Sequence, residues 1–337
     1  GEGEEVGDGE LEFELERDVG EYTGDIEECL RKIVDGETYE VCLTNRIRSK
    51  VVPKDPLALY RHLRAINPAP YAAFLRLSKD NAVCCSSPER FLTVLRDGTC
   101  ESKPIKGTEP RGRTPAEDEM LRTRLQNSPK DRAENLMIVD LVRNDLGKVC
   151  DIGSVTVPSL MNIETFSSVH QLVSTVRGKL HRSVSAVRCL QAAFPMGSMT
   201  GAPKLRTMQI ISSLERSRRG VYSGCIGYFG LSGAADFNVV IRTAVVSAGG
   251  VEIGAGGAIV AMSDPAAEFD ELLLKARAVR TATARAVREG ARGEETAAVR
   301  RRAAAREGWR GDAAAGGGTA EMELGNGLAE KVWSVPN

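Results

Sequence analysis

The sequence predicts an α+β fold dominated by antiparallel sheet, and three features of its pattern carry that reading. Runs rich in β-branched residues come in blocks and do not alternate strictly with helices, as they would around a parallel sheet. A Gly249-Gly250 pair separates NVVIRTAVVSA from VEIGAGGAIV, which signals a hairpin. Two helix candidates open on the same device, a capping Ser or Asp followed by Pro.

Taken in order, residues 1–18 (GEGEEVGDGELEFELERD) are acidic and poor in apolar side chains, and read as a linker within a longer polypeptide. They match neither a signal nor a transit peptide. The folded body is expected over 19–290. Its strands are expected at 39–48, 71–77, 82–85, 91–95, 225–231, 238–248 and 251–260. Helices are expected at 24–35, 56–65, 116–127, 128–146, 185–193, 201–216 and 265–290. Residues 291–337 are Ala/Arg/Gly-rich and read as a low-complexity tail, largely disordered.

With 45 basic and 46 acidic side chains the formal net charge is −1, and no basic stripe carries interleaved aromatics. Nucleic acid is therefore not an expected partner. No apolar run approaches the roughly 20 residues of a spanning helix, so no membrane is expected either. The eight cysteines are scattered, without CxxC, and read as small core residues in a reducing compartment. Three histidines with no ligand spacing make a zinc site a poor reading.

In SPKDRAENLMIVDLVRNDLG, Ser128 caps, Pro129 starts the helix, and Asp131 and Glu134 share a face. In SDPAAEFDELLLKARAV, Asp264 caps, Pro265 starts, and Glu268, Glu271 and Lys275 share a face. Such acids can supply hard oxygen ligands to Mg²⁺, or can simply offset the helix dipole. FPMGSMTGAPKLR sets Gly197, Thr200 and Gly201 ahead of a helix, either as an anion-holding turn or as an ordinary cap. The glycines of IGAGGAIV (Gly254, Gly256, Gly257) end a hairpin strand with no βαβ unit after them. They suggest close approach of backbone to a ligand, not a dinucleotide fingerprint.

Lys106, in the Pro/Gly string KPIKGTEPRG, reads as a loop lysine: solvated, or else desolvated, neutral and nucleophilic. Glu89, at the mouth of a strand, is either a surface partner of Arg90 or a positioned acid/base. His170 reads as a half-buried, satisfied histidine. Tyr222 is placed at the start of a strand and Arg242 in the middle of one. An arginine inside VVIRTAVV needs an anion, from the protein or from a substrate.

The strings YEVCLTNR, NPAPYAAFL, SSPERF, PIKGT, DRAENLMIVDLVRNDLG, HQLVSTVRG, FPMGSMTGAPK, YSGCIGYF, VIRTA, GAGGAIV and EFDELLLKARAV run in order over about 20–285. Together they resemble the chorismate-utilising family, whose branches are the anthranilate, aminodeoxychorismate, isochorismate and salicylate synthases. The resemblance implies a sandwich of two antiparallel β-sheets flanked by helices, with the active site in a cleft. It implies that Glu134 and Glu271 bind Mg²⁺, with Asp131 and Glu268 as alternate or supporting ligands. Tyr222, Arg242 and the backbone of Gly254, Gly256 and Gly257 would hold the pyruvyl carboxylate, and Lys275 an anionic group. Glu89 would serve as general acid/base, with His170 and Thr200 lining the ring.

Two positions separate the branches. Anthranilate synthases usually carry alanine where Lys106 stands, whereas aminodeoxychorismate synthases carry lysine. Isochorismate and salicylate synthases carry a water-activating lysine where this chain has Glu40. The resemblance therefore implies amination of chorismate to 4-amino-4-deoxychorismate, toward p-aminobenzoate and folate, with neutral Lys106 as a covalent nucleophile. Anthranilate formation and an inactive chorismate-binding fragment are the alternatives. Ammonia would come from glutamine through an amidotransferase subunit or a fused N-terminal domain. The YEVCLT string looks like plant or algal members, which implies the chloroplast stroma; the cytoplasm is the other expectation.

Overall fold

The computed structural model describes residues 11–166 and 169–312, the last of them, 293–312, by backbone alone. In chain order the elements are β1 (Glu14–Leu15), α1 (Val19–Val34), β2 (Glu40–Ser49), α2 (Pro56–Ile66), β3 (Tyr71–Arg76), β4 (Ala82–Ser87), β5 (Arg90–Val94), β6 (Thr99–Lys103) and β7 (Ile105–Pro110). There follow α3 (Pro115–Asn127), α4 (Pro129–Gly147), β8 (Thr156–Thr165), β9 (Val169–Lys179), α5 (Ala186–Ala193), a 3-10 turn (Gly197–Met199), β10 (Gly201–Ala202) and α6 (Lys204–Leu214). The chain then forms β11 (Cys225–Phe229), β12 (Ala235–Val239), β13 (Thr243–Ser247), β14 (Gly250–Ile259) and α7 (Pro265–Asp312).

Two seven-stranded antiparallel sheets organise these elements, as an α+β fold of this kind requires. The first runs β1-β2-β14-β13-β4-β3, with β10 paired to β2. The second runs β11-β12-β5-β6-β9-β7, with β8 paired to β9. Helices α1, α2, α6 and α7 cover the first sheet, through Tyr22 and Ile26, Leu59 and Leu63, Ile210, and Leu272 and Val279, against Leu43, Ile47 and Ile253. The second sheet has its own core, where Phe91, Leu92, Val176 and Phe237 meet Val139 and Leu146 of α4 and Cys189 of α5. Each such buried aliphatic side chain contributes on the order of 1.5–3 kcal/mol. All eight cysteines are free thiols, and seven are buried, as small core residues should be.

Several expectations are corrected. The acidic start does not remain a linker through residue 18: Glu14 and Leu15 pair with Arg48 and Ile47, Arg17 is buried, and Asp18 caps α1 through a capping box with Glu21. Composition missed this because two strand residues suffice once a partner edge is present. The stretch 238–248 is not one strand. It breaks at Arg242, which adopts a left-handed φ of 52°, so that β12 joins the second sheet and β13 the first. Lys106 lies in strand β7, not in a loop, and Tyr222 precedes β11 in a turn. The helix expected at 201–216 begins at Lys204, because Gly201–Ala202 pair with Val41 and Glu40. Helix α7 continues from Pro265 to Asp312, well past the end expected at 290. The linker reading for 1–10 and the tail reading for 313–337 lie outside the described residues.

Candidate active site

The residues singled out above converge from both sheets and from the first turns of two helices. Ser128 caps α4, its hydroxyl accepting from the Asp131 N–H at 3.3 Å, and Asp264 accepts from Ala267 N–H at 2.9 Å at the start of α7. Both caps work as the sequence implies, and the helices they start bring Glu134 and Glu268 to one lysine. Lys130 shows the convergence: its Nζ lies 2.7 Å from Glu268 on α7 and 3.9 Å from Glu134 on its own helix. Ser263 adds a hydrogen bond to Glu268 at 2.7 Å.

The floor of the site is β14. A Cβ on Gly257 would sit 2.9 Å from Glu268 Oε2, 3.6 Å from Lys275 Nζ and 4.0 Å from Glu271 Oε1, so only glycine leaves room for this cluster. Lys275 donates to the Gly256 carbonyl at 2.9 Å and pairs with Glu271 at 2.6 Å. Gly256 itself lies against the Leu43 carbonyl of β2, and a Cβ on Gly254 would enter the Tyr222 ring. The Tyr222 turn is braced by Arg219, which donates to the Met199 and Cys42 carbonyls at 2.5 and 2.7 Å and pairs with Glu215. Arg242 donates to the Lys275 carbonyl at 2.8 Å, and burial holds its pKa below the usual arginine value.

Lys106 and Glu40 join the two sheets. Lys106 of β7 places its Nζ 2.6 Å from Glu40 Oε1 of β2 and 3.7 Å from Glu134 Oε2. Both side chains are buried, with Lys106 8% and Glu40 0% exposed. Burial opposes the ammonium, but the Glu40 and Glu134 carboxylates outweigh it and raise the pKa. The neutral lysine implied by the resemblance is therefore not the form held here: position 106 carries a buried cation. Gly107, at φ 87°, lets Asp131 pack beside this strand, since a Cβ there would meet Asp131 Cγ at 2.7 Å.

Glu89 is buried in the turn between β4 and β5, which rules out a surface pair with Arg90; Arg90 instead meets Asp236 at 3.4 Å. Burial pushes the Glu89 pKa up to about 7, against weaker opposing contacts with Ser198 and Lys106. Burial likewise raises Glu134 to about 7. Glu271, half-buried, is held below the usual range because Lys275 outweighs burial.

Two expected residues sit differently. His170 is fully buried in β9, its Nδ1 at 2.9 Å from Thr165 and its Nε2 at 3.0 Å from Asp118, and Arg111 grips the same Asp118. Both ring nitrogens are occupied, so His170 has no hydrogen bond to offer the acids. Thr200 donates to the Met196 carbonyl at 3.0 Å, and its own carbonyl accepts from Cys42 N–H, so it supports β2 beside Glu40. Sequence reasoning missed Glu40 as the partner of Lys106 and Lys130 as the bridge between helices. An acid in the apolar string YEVCLT was the available signal, because a buried carboxylate demands a cation.

A fold of two antiparallel sheets with acids from two helices gathered over a glycine strand defines a class. The chain matches the family model for chorismate binding enzymes over residues 2–281, and it belongs to that family. Among curated relatives it is 59% identical to the aminodeoxychorismate synthase of Streptomyces pristinaespiralis, over 79% of this chain and 37% of that protein. It is 57% identical to the probable chloroplastic aminodeoxychorismate synthase of Oryza sativa subsp. japonica, over 79% of this chain and 30% of that one. The chain thus spans about a third of the length of these relatives. Among solved structures it is similar to anthranilate synthase component I from Streptococcus pneumoniae, with a TM-score of 0.73 and 33% identity over 80% of this chain and 59% of that one.

Proposed function

We propose that this chain forms the chorismate-aminating site of an aminodeoxychorismate synthase, converting chorismate and ammonia to 4-amino-4-deoxychorismate and water. The observation that carries the reading is the placement of Lys106. Its amine lies inside the cleft, 3.7 Å from Glu134, where anthranilate synthases resembling this chain usually have a methyl group. The identity of 57–59% to proteins named aminodeoxychorismate synthase supports the same reading.

Among the described residues, no three His, Cys, Asp or Glu side chains close on a common point at metal distance. Mg²⁺ keeps several waters and needs only one or two carboxylates. Glu134 on α4 and Glu271 beside Gly257 supply hard oxygen donors that fit it, with Glu268, gathered with Glu134 round Lys130, and Asp131 as alternate or supporting ligands. Such an ion supplies charge neutralisation for a carboxylate substrate.

The remaining work falls to side chains. Lys106, once its ammonium proton has passed to solvent in the cleft, adds through Nζ to ring carbon 2, the double bond shifts, and the carbon–oxygen bond at carbon 4 breaks. Protonated Glu89 gives its proton to the departing hydroxyl, which leaves as water. Ammonia then bonds to carbon 4, the double bonds return, and the carbon 2–lysine bond breaks with its electron pair returning to Nζ. Tyr222, Arg242, Lys275 and the β14 backbone orient the carboxylates. Ammonia would be delivered from glutamine by an amidotransferase domain or subunit. No helix among the described residues is long and apolar enough to cross a membrane, and the rice relative's chloroplastic name favours the stroma over the cytoplasm.

The test is incubation with chorismate, ammonium chloride and Mg²⁺. Aminodeoxychorismate, which requires a separate lyase to yield p-aminobenzoate, is the expected product. Direct release of fluorescent anthranilate would make the protein an anthranilate synthase, and chorismate binding without turnover would leave only a binding fragment.

A further inference from the structure

Glu40 does more than its ion pair requires. Its Oε1 accepts from Lys106 Nζ, but its Oε2, equally buried, has no hydrogen-bond partner. A carboxylate oxygen kept from water without a donor is unfavourable, and the backbone gives it no escape. Ala202 pairs with Glu40 in register, Thr38 Oγ1 donates to the Glu40 carbonyl at 3.0 Å, and a Cβ on Gly201 would lie 2.0 Å from that carbonyl. Strand alternation then fixes the side chain toward Lys106.

A neutralising role for Lys106 accounts for one oxygen only. The second points to another N–H donor. The head of a lysine has the size and the donor set of ammonia, so the niche that holds Nζ is already shaped for an NH₃ group. In the covalent route Nζ leaves that niche when it bonds to ring carbon 2, and both Glu40 oxygens then face the vacated place. We propose that Glu40 seats the ammonia nucleophile in the niche that Lys106 vacates. Hydrogen bonds from ammonia to the two oxygens leave its lone pair turned away from Glu40, toward the ring.

This inference rests on the covalent reading of Lys106 given above, and the experiment separates the two. In the full chain, with chorismate and Mg²⁺ saturating, initial rates are measured against ammonium chloride for wild type, E40Q and K106A. Quenched enzyme incubated without ammonia is weighed by mass spectrometry for the Lys106 adduct. E40Q keeps an oxygen for Lys106 and replaces the orphan acceptor with a donor. It should raise the KM for ammonia about tenfold, the loss expected for one charge-assisted hydrogen bond. Its chorismate KM should stay within about twofold of wild type, and its Lys106 adduct should still form. An unchanged ammonia KM, or loss of the adduct in E40Q, overturns the ammonia seat. Full activity in K106A overturns the covalent reading instead. If E40Q does not fold, E40D, which withdraws both oxygens by one methylene, must show the same selective rise in ammonia KM.

Discussion

At the scale of single residues, charge state decides what the site can do. Lys106 rests as a cation because two carboxylates outweigh its burial, so its nucleophilic form exists only after a proton has left. Lys106→Ala should lower aminodeoxychorismate formation from ammonia by about 10³-fold or more, read by product chromatography, on the scale of losing a covalent nucleophile. Glu89 has the opposite character: burial raises its pKa from 4.5 to about 7, so near neutral pH about half of it keeps the proton that the proposed acid role needs. The turnover number should fall as pH rises through about 7, and Glu89→Gln should abolish that limb along with most activity. Stability follows with a definite sign. The folded chain binds this proton more tightly than the unfolded chain between pH 4.5 and about 7, so stability declines as pH rises across that window. Glu89→Gln should therefore raise the melting temperature at pH 8 relative to wild type, and much less at pH 4.5. A melting difference independent of pH would contradict the assignment.

At the scale of elements, the helix starts and the glycine strand do the positioning. The Ser-Pro and Asp-Pro starts of α4 and α7 were legible because caps are local chemistry. Ser128→Ala should cost about 1 kcal/mol in chemical denaturation, the usual value of a cap. The glycines of β14 could be noticed in sequence but not explained; only packing shows that Gly254 faces the Tyr222 ring and Gly257 the acids. Gly254→Ala places a methyl 2.2 Å from that ring. It should destabilise the fold by about 1–3 kcal/mol and weaken chorismate binding, measured by calorimetry. Strands β6, β8 and β9 escaped sequence reading, because lysines, threonines and a proline interrupt their alternation. Sheet pairing overrides such weak preferences.

For the whole molecule, the site exists because two sheets and two distant helices meet. Glu134 and Glu268 are far apart in the chain, yet one lysine touches both. Treatment with EDTA should abolish turnover and added Mg²⁺ should restore it, while Glu134→Gln and Glu271→Gln should each raise the Mg²⁺ concentration needed for half-maximal rate. Retention of full activity after chelation would remove the metal from the reading. The crossover at Arg242 serves the same end, because a left-handed residue lets one run of chain strengthen both sheets while its guanidinium reaches the α7 backbone.

The sequence by itself determined the α+β class, most helix starts, the antiparallel hairpin at Gly249-Gly250 and the family, because caps, turns and ordered motifs are properties of neighbouring residues. Only the tertiary structure decided that Lys106 is a paired cation, that Glu40 is its partner and that His170 is committed to Asp118. Those outcomes depend on which charges burial brings within a few ångströms, and no spacing along the chain encodes a distance between two sheets.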